Sequence, residues 1–177
     1  MNYKQLGRIL GKIMILEGIL MLAPLSVSFI YGEALRNKMA FAVPILLLLG
    51  FGFLLQIPRA RRTALYQKEG FALTAMVWIV MALFGALPFV ISREIPHFVD
   101  AFFEIVSGFT TTGASIVTDI ESLSRSTLFW RSFSHWIGGM GILVFVLIFI
   151  PERDDGSSMH FCGRRAPALR WASWSPN

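Results

Sequence analysis

The stretch SGFTTTGAS, Ser107 to Ser115, sets three consecutive threonines and a glycine inside a strongly apolar chain. Successive carbonyls of an extended loop, with threonine hydroxyls beside them, can replace the hydration shell of a desolvated cation. Thr110, Thr111, Thr112 and Gly113 are therefore the candidate ion-coordinating residues. Gly113 adds the backbone freedom that packing such a loop against symmetry mates demands. Just upstream, PHFVDAFFEIVSGF has apolar residues at Phe98, Phe102, Ile105, Val106 and Phe109, with Asp100 and Glu104 four apart on another face. That spacing is helical. The two acids could draw cations to an outer mouth, and acids in early helix turns are equally stabilising through the helix dipole.

Such a loop needs an apolar scaffold. Of the 177 residues, 55% are hydrophobic and 15% charged, against about a quarter charged in soluble domains, and the mean hydropathy is +0.62. The chain reads as an all-α membrane protein. Four runs, Ile13–Tyr31, Met39–Ile57, Phe71–Ser92 and Phe133–Ile150, have the length of a span, roughly 17–25 residues. Pro24, Pro44 and Pro88 kink these runs without abolishing them, because neighbouring helices re-satisfy the freed carbonyls. The first run is longer than a signal-peptide core of about 7–15 residues and no A-x-A-like site closes it, so it reads as a retained span.

Basic residues orient the spans. Lys4, Arg8, Lys12, Arg59, Arg61, Arg62 and Lys68 fall on one side, and Arg36, Lys38, Arg93, Arg125 and Arg131 on the other. The richer side is cytoplasmic by the positive-inside rule, which puts both termini there. The net charge of +5 is then explained without nucleic acid. Between the third and fourth spans the chain starts and ends outside. Pro96–Phe109, at about a dozen residues, is too short to cross, so parity makes it a half-helix going in, followed by a strand coming out. Pro96 suits the helix start. Non-helical backbone at membrane depth persists only where protein buries it or where it lines a water-filled cavity. TTTGAS, Thr110–Ser115, would lie there, facing the partial negative charge at the C-terminal end of the half-helix. That end attracts a cation.

FFEIVSGFTTTGASIVTDIESL, followed by LFWRSFSHWIGGMGILVFVL, resembles the first pore repeat of TrkH-type proteins of the Trk/Ktr/HKT potassium transporter superfamily. The likeness extends upstream through KEGFALTAMVWIVMALFGALPF and, more loosely, over the first two spans. In that family four repeats of span, pore helix, filter loop and span surround one pore, and in TrkH types an extra helix pair precedes them. The resemblance implies that residues 1–58 are the extra pair, 70–151 the first repeat and 152–177 a cytoplasmic tail. It implies uptake of K+ as the transported ion across the bacterial inner membrane, with Thr111, Thr112 and Gly113 at the coordinating positions and Thr110 contributing. The implied surroundings are membrane lipid, a homodimer of the full-length protein and a cytoplasmic TrkA-type nucleotide-binding regulatory subunit. The basic loop from Arg59 to Lys68 would be the docking surface for that subunit. The single filter glycine departs from the TVGYG of strict potassium channels, which leaves selectivity over sodium and rubidium open.

One filter loop is visible where the family has four. After PERDDGSSMH, the segment FCGRRAPALRWASWSPN loses apolar periodicity, and residues 152–177 read as a disordered tail from a frame shifted or cut near His160. The alternative to potassium uptake is thus a truncated, non-conducting membrane remnant with a structural or interaction role. No nucleophile–base pair, metal cluster or phosphate loop with its lysine supports an enzyme. Glu17 reads as snorkelling or pairing with Lys12 or Lys4. His97 and His135 lack H-x-x-x-H spacing and read as structural. Gly138 to Gly141 let the closing span approach a neighbour closely, and Trp130 and Trp136 suit an outer aromatic belt. Cys162, the single cysteine, excludes an intrachain disulfide and carries no assigned role.

Overall fold

The structure is a computed structural model that describes residues 3–57 and 67–149. Arg59, Arg61 and Arg62 of the basic loop, and the tail from residue 150 onward, lie outside the described residues. Among those described there are only helices and their connections. Helices α1 (Tyr3–Leu20) and α2 (Leu22–Ile30) form one span broken at Met21. The cause lies just beyond the break, because Pro24 has no N–H and its ring crowds the carbonyl of Leu20. Helix α3 (Leu35–Gln56) returns and absorbs Pro44 without interruption. Helices α4 (Gln67–Gly85) and α5 (Leu87–Ile91) make the third crossing, broken at Ala86 ahead of Pro88. Helix α6 (Phe98–Phe109) has 12 residues and α7 (Arg125–Phe149) has 25.

Gln5–Ile30, Leu35–Gln56 and Gly70–Ile91 are each long and apolar enough to cross a membrane. Helix α7 is the fourth long helix and carries no Asp, Glu, Lys or Arg beyond Arg131. It begins well before Phe133, because the Ser124 hydroxyl accepts the Thr127 N–H at 3.4 Å as an N-cap. Two carboxylates complete that first turn. Glu94 Oε1 accepts the Ser124 N–H at 3.0 Å, and Glu33 Oε1, from the α2–α3 turn, accepts the Ser126 N–H at 3.0 Å while its Oε2 takes the Ser126 hydroxyl. Acids at a helix N-terminus satisfy orphan donors and complement the dipole. Glu33 also fastens the α1–α3 hairpin to α7, and Glu94 ties the connection after α5 to the same turn.

Helices α1 and α3 pack backbone to backbone. A Cβ on Gly11 would stand 2.7 Å from the Gly52 carbonyl, and one on Gly52 would stand 2.9 Å from the Gly11 carbonyl. Small residues permit this approach where no hydrophobic effect operates between helices in lipid. The core runs from Met14, Phe41 and Leu48 in the hairpin through Ala86 and Phe89 to Ile105, Phe109 and Trp130.

Two sequence expectations are corrected here. Trp130 is not at an interfacial belt; it is fully buried and its indole N–H donates to the Gly85 carbonyl at 2.9 Å. That carbonyl is available because Phe89 N–H turns to Ala86 instead, at 3.2 Å, and Pro88 has no N–H to offer Phe84. Trp136 is the exposed member of the pair, stacked on Phe133 with ring centroids 5.5 Å apart. Glu17 does not snorkel. It is 1% exposed, and neither carboxylate oxygen has a hydrogen-bond partner among the described residues. Lys12 sits five positions earlier on a different, exposed face of α1.

Candidate functional site

Helix α6 delivers its C-terminus to the threonine segment, and the way it ends decides what that segment presents. Thr110 is the C-cap, at φ −82° and ψ 0°. Thr111 N–H donates to Gly108 O at 3.0 Å and Thr112 N–H to Ser107 O at 3.0 Å, the bond pair of a Schellman motif. The left-handed residue of that motif is usually glycine. Here it is Thr111, at φ 57°, and a β-branched residue in that region carries strain of order 1–3 kcal/mol. Gly113 is left-handed as well, at φ 77°.

The helix consumes the donors of the loop. Thr110 N–H goes to Val106 O at 2.8 Å and Gly113 N–H to Ser107 O at 3.5 Å, beside the two bonds above. The Thr110 hydroxyl donates to Val106 O at 2.8 Å, the Thr111 hydroxyl donates to Thr110 O at 2.7 Å, and the Thr110 and Thr112 hydroxyls meet at 2.9 Å. Among the described residues no N–H reaches the carbonyls of Thr111, Thr112 or Gly113. Residues 110–115 are exposed. The loop therefore offers oxygen acceptors at the negative end of a helix, an arrangement suited to a hard cation and unsuited to an anion. The return path is irregular and forms no strand, because its hydrogen bonds go back to α6 and find no partner strand.

Asp100 lies half-buried in the first turn of α6. Glu104, read from sequence as an outer-mouth charge, faces the protein interior, and its side chain is 1% exposed. Its carboxylate accepts from Arg131 Nε, from the Ser115 hydroxyl at 3.1 and 3.0 Å, and from the Ile116 N–H at 3.0 Å. Position 104 shares its helix face with the buried Ala101, Ile105 and Gly108, so it points at α7. Arg131, counted from sequence among the external loop cations, stands on α7 itself. The sequence signal that could have found the pair was an acid on an apolar half-helix with a base in the following span.

Two glycines set how closely α6 and α7 cross. A Cβ on Gly108 would collide with the Ser134 side chain, and one on Gly138 would fall on the Phe109 carbonyl, immediately before the threonines. The close approach expected of Gly138 is therefore made to the end of α6. Nearby, His135 Nδ1 lies 2.9 Å from Arg131 O. An apolar cavity of about 280 Å³, lined by Trp78, Ile79, Ala82, Phe102, Val106 and Phe109, reaches Thr110 from the α4 side.

Comparison with known proteins bears on this arrangement. The family model for TrkH cation transport proteins matches residues 37–165. The Trk system potassium uptake protein TrkH of Halomonas elongata is 34% identical over 158 residues, covering 88% of this chain and 32% of that protein. TrkH of Escherichia coli K12 is 37% identical over 154 residues, covering 85% and 31%. The crystal structure of the potassium transporter TrkH from Vibrio parahaemolyticus superposes with a TM-score of 0.78 at 34% identity, over 85% of this chain and 32% of that one. The chain spans about a third of the length of the relatives it matches. With a family match over most of its length and a fold shared with a solved member, the chain belongs to the TrkH family of cation transport proteins.

Proposed function

We propose that this chain is the N-terminal part of a potassium uptake subunit of the bacterial inner membrane, with both termini cytoplasmic. In this reading the carbonyls of Thr110, Thr111, Thr112 and Gly113 form one of about four segments that ring a dehydrated K+. The observation that carries it is the segment Thr110–Gly113 at the C-terminal end of α6, whose four N–H groups are tied back to the helix while the carbonyls of Thr111, Thr112 and Gly113 stay open. The relatives named potassium uptake proteins supply the ion. A homodimer of the complete protein and a cytoplasmic TrkA-type nucleotide-binding subunit complete the proposal; residues 59–68 are the docking surface it names.

The test is growth of a potassium-uptake-deficient host at limiting potassium. The 177-residue chain alone is expected to insert in the membrane without rescue, because one loop leaves an ion undercoordinated. A chimera in which it replaces the N-terminal third of the Vibrio parahaemolyticus transporter is expected to rescue. In that chimera Gly113→Leu should abolish growth without loss of membrane insertion. Normal uptake by the Gly113→Leu chimera would sink the filter assignment, and a chimera that inserts but never rescues would overturn the potassium-uptake reading.

A further inference from the structure

The threonine segment is held at both ends by the same half-helix, in two different ways. At its entry, Thr112 and Gly113 donate to Ser107 O at 3.0 and 3.5 Å. At its exit, Ser115 and Ile116 donate to the Glu104 carboxylate, at 3.0–3.1 Å and 3.0 Å. The entry anchor is a backbone carbonyl and follows from helix geometry. The exit anchor is a side chain, and its own position is fixed by Arg131 on α7. Thr110 and Thr111 are tied to Val106 and Gly108 as part of the same helix end, and among the described residues Ala114 has no backbone hydrogen bond of its own between the two anchors.

We propose that Glu104, held by Arg131, is a positioning residue that sets the ion discrimination of the loop by fixing its exit. This rests on the reading of Thr110–Gly113 as the coordinating segment. The physics is that of preorganisation. Carbonyls favour one cation over another only if their spacing resists adjustment to the other ion, and a loop anchored at one end can adjust. A buried carboxylate with three kinds of donor is a stiff anchor, because releasing any donor leaves part of a buried charge uncompensated. Arg131 has a second effect. It neutralises Glu104, so the anchor adds no net charge beside the cation path.

The experiment uses the chimera described above, reading potassium and sodium uptake separately together with membrane abundance. Glu104→Gln and Arg131→Gln are each expected to lower the potassium-to-sodium ratio by roughly tenfold, the scale of one lost hydrogen bond to a charged group, while membrane abundance is retained. The double swap Glu104→Arg with Arg131→Glu separates an anchor from a plain ion pair. It restores opposite charges between α6 and α7, but an arginine at position 104 cannot accept from Ser115 or Ile116. The inference expects abundance to be retained in the swap and discrimination to stay low; recovery of discrimination would reduce the pair to a structural brace and overturn it. An independent reading comes from the 177-residue chain in lipid nanodiscs, where Glu104→Ala should accelerate amide hydrogen exchange at Ile116, and unchanged exchange there would overturn the anchor directly. If Gly113→Leu abolishes uptake while Glu104→Gln leaves the ratio intact, the filter reading stands and this inference falls. If Gly113→Leu transports normally, the filter reading falls first.

Discussion

The indole N–H of Trp130 donates to the carbonyl of Gly85 at 2.9 Å, joining the start of α7 to the break between α4 and α5. In lipid an unpaired carbonyl has no water to turn to. Trp130→Phe keeps an aromatic ring against Phe109, whose centroid is 6.3 Å away in an edge-on arrangement, and removes the donor. The expected cost is about 1–3 kcal/mol, that of a buried acceptor left unsatisfied. A thermal unfolding midpoint in nanodiscs unchanged from wild type would show that the bond contributes nothing.

Gly138 and Gly139 are neighbours with opposite expectations. A Cβ at Gly138 falls on the Phe109 carbonyl, whereas at Gly139 the closest atom is Thr111 Cγ2 at 3.9 Å. Gly138→Ala should force α6 and α7 apart at the entrance to the threonine segment and cost about 1–3 kcal/mol, as overpacking does. Gly139→Ala should be tolerated. Equal stability of the two variants would contradict the crossing described.

The fold was legible because its signals are local. Apolar length marked the spans, and the interval between the third and fourth was too short for a crossing yet helical in period, so a half-helix followed from Pro96 and the spacing of Phe98, Phe102 and Phe109. The oxygen-rich segment was legible for the same reason. What escaped was pairing across elements. Glu104 and Arg131 lie 27 residues apart, on a half-helix and a span, and each has a satisfactory local reading that hides the other. Trp130 misled because an indole near an outer loop suits an interface, whereas here a proline-induced break in another helix leaves a carbonyl for it to meet. The strain at Thr111 has no sequence mark at all, since threonine is the last residue one would assign to a left-handed cap.

Gly113 and Gly50 both have open space where a Cβ would stand, yet they differ in backbone. Gly113 is at φ 77°, whereas Gly50 is inside α3. Gly113→Ala is expected to lose about 1–2 kcal/mol through left-handed strain alone. Gly50→Ala should gain about 0.5–1 kcal/mol by removing unfolded-state freedom from a helical site. Opposite signs in the same denaturation series are the expected result. Matching signs would show that space, and not backbone conformation, governs position 113.

Glu33 makes the fastening of the hairpin to α7 sensitive to acid. Burial pushes its carboxyl upward, but hydrogen bonds from the Ser126 hydroxyl and N–H, with smaller contributions from the Ser28 and Asn37 side chains, together outweigh that and leave it below the usual glutamate range. A carboxylate depressed in the folded state contributes stability that is present above its unfolded pKa, about 4.3, and is lost as pH falls through the folded value. The junction should therefore hold at full strength at neutral pH, begin to weaken as the pH enters the ordinary glutamate range, and lose the contribution once the pH falls below the lower folded value. Because the side chain is partly in solvent, the contribution is small, at most about 1 kcal/mol. Glu33→Gln removes the charge at every pH. The unfolding midpoint of the wild type should exceed that of Glu33→Gln at pH 7 and converge on it as the medium is acidified through the glutamate range. A gap that persists undiminished in acid would mean that hydrogen-bond geometry, and not the charge of Glu33, holds Ser126 at the start of α7.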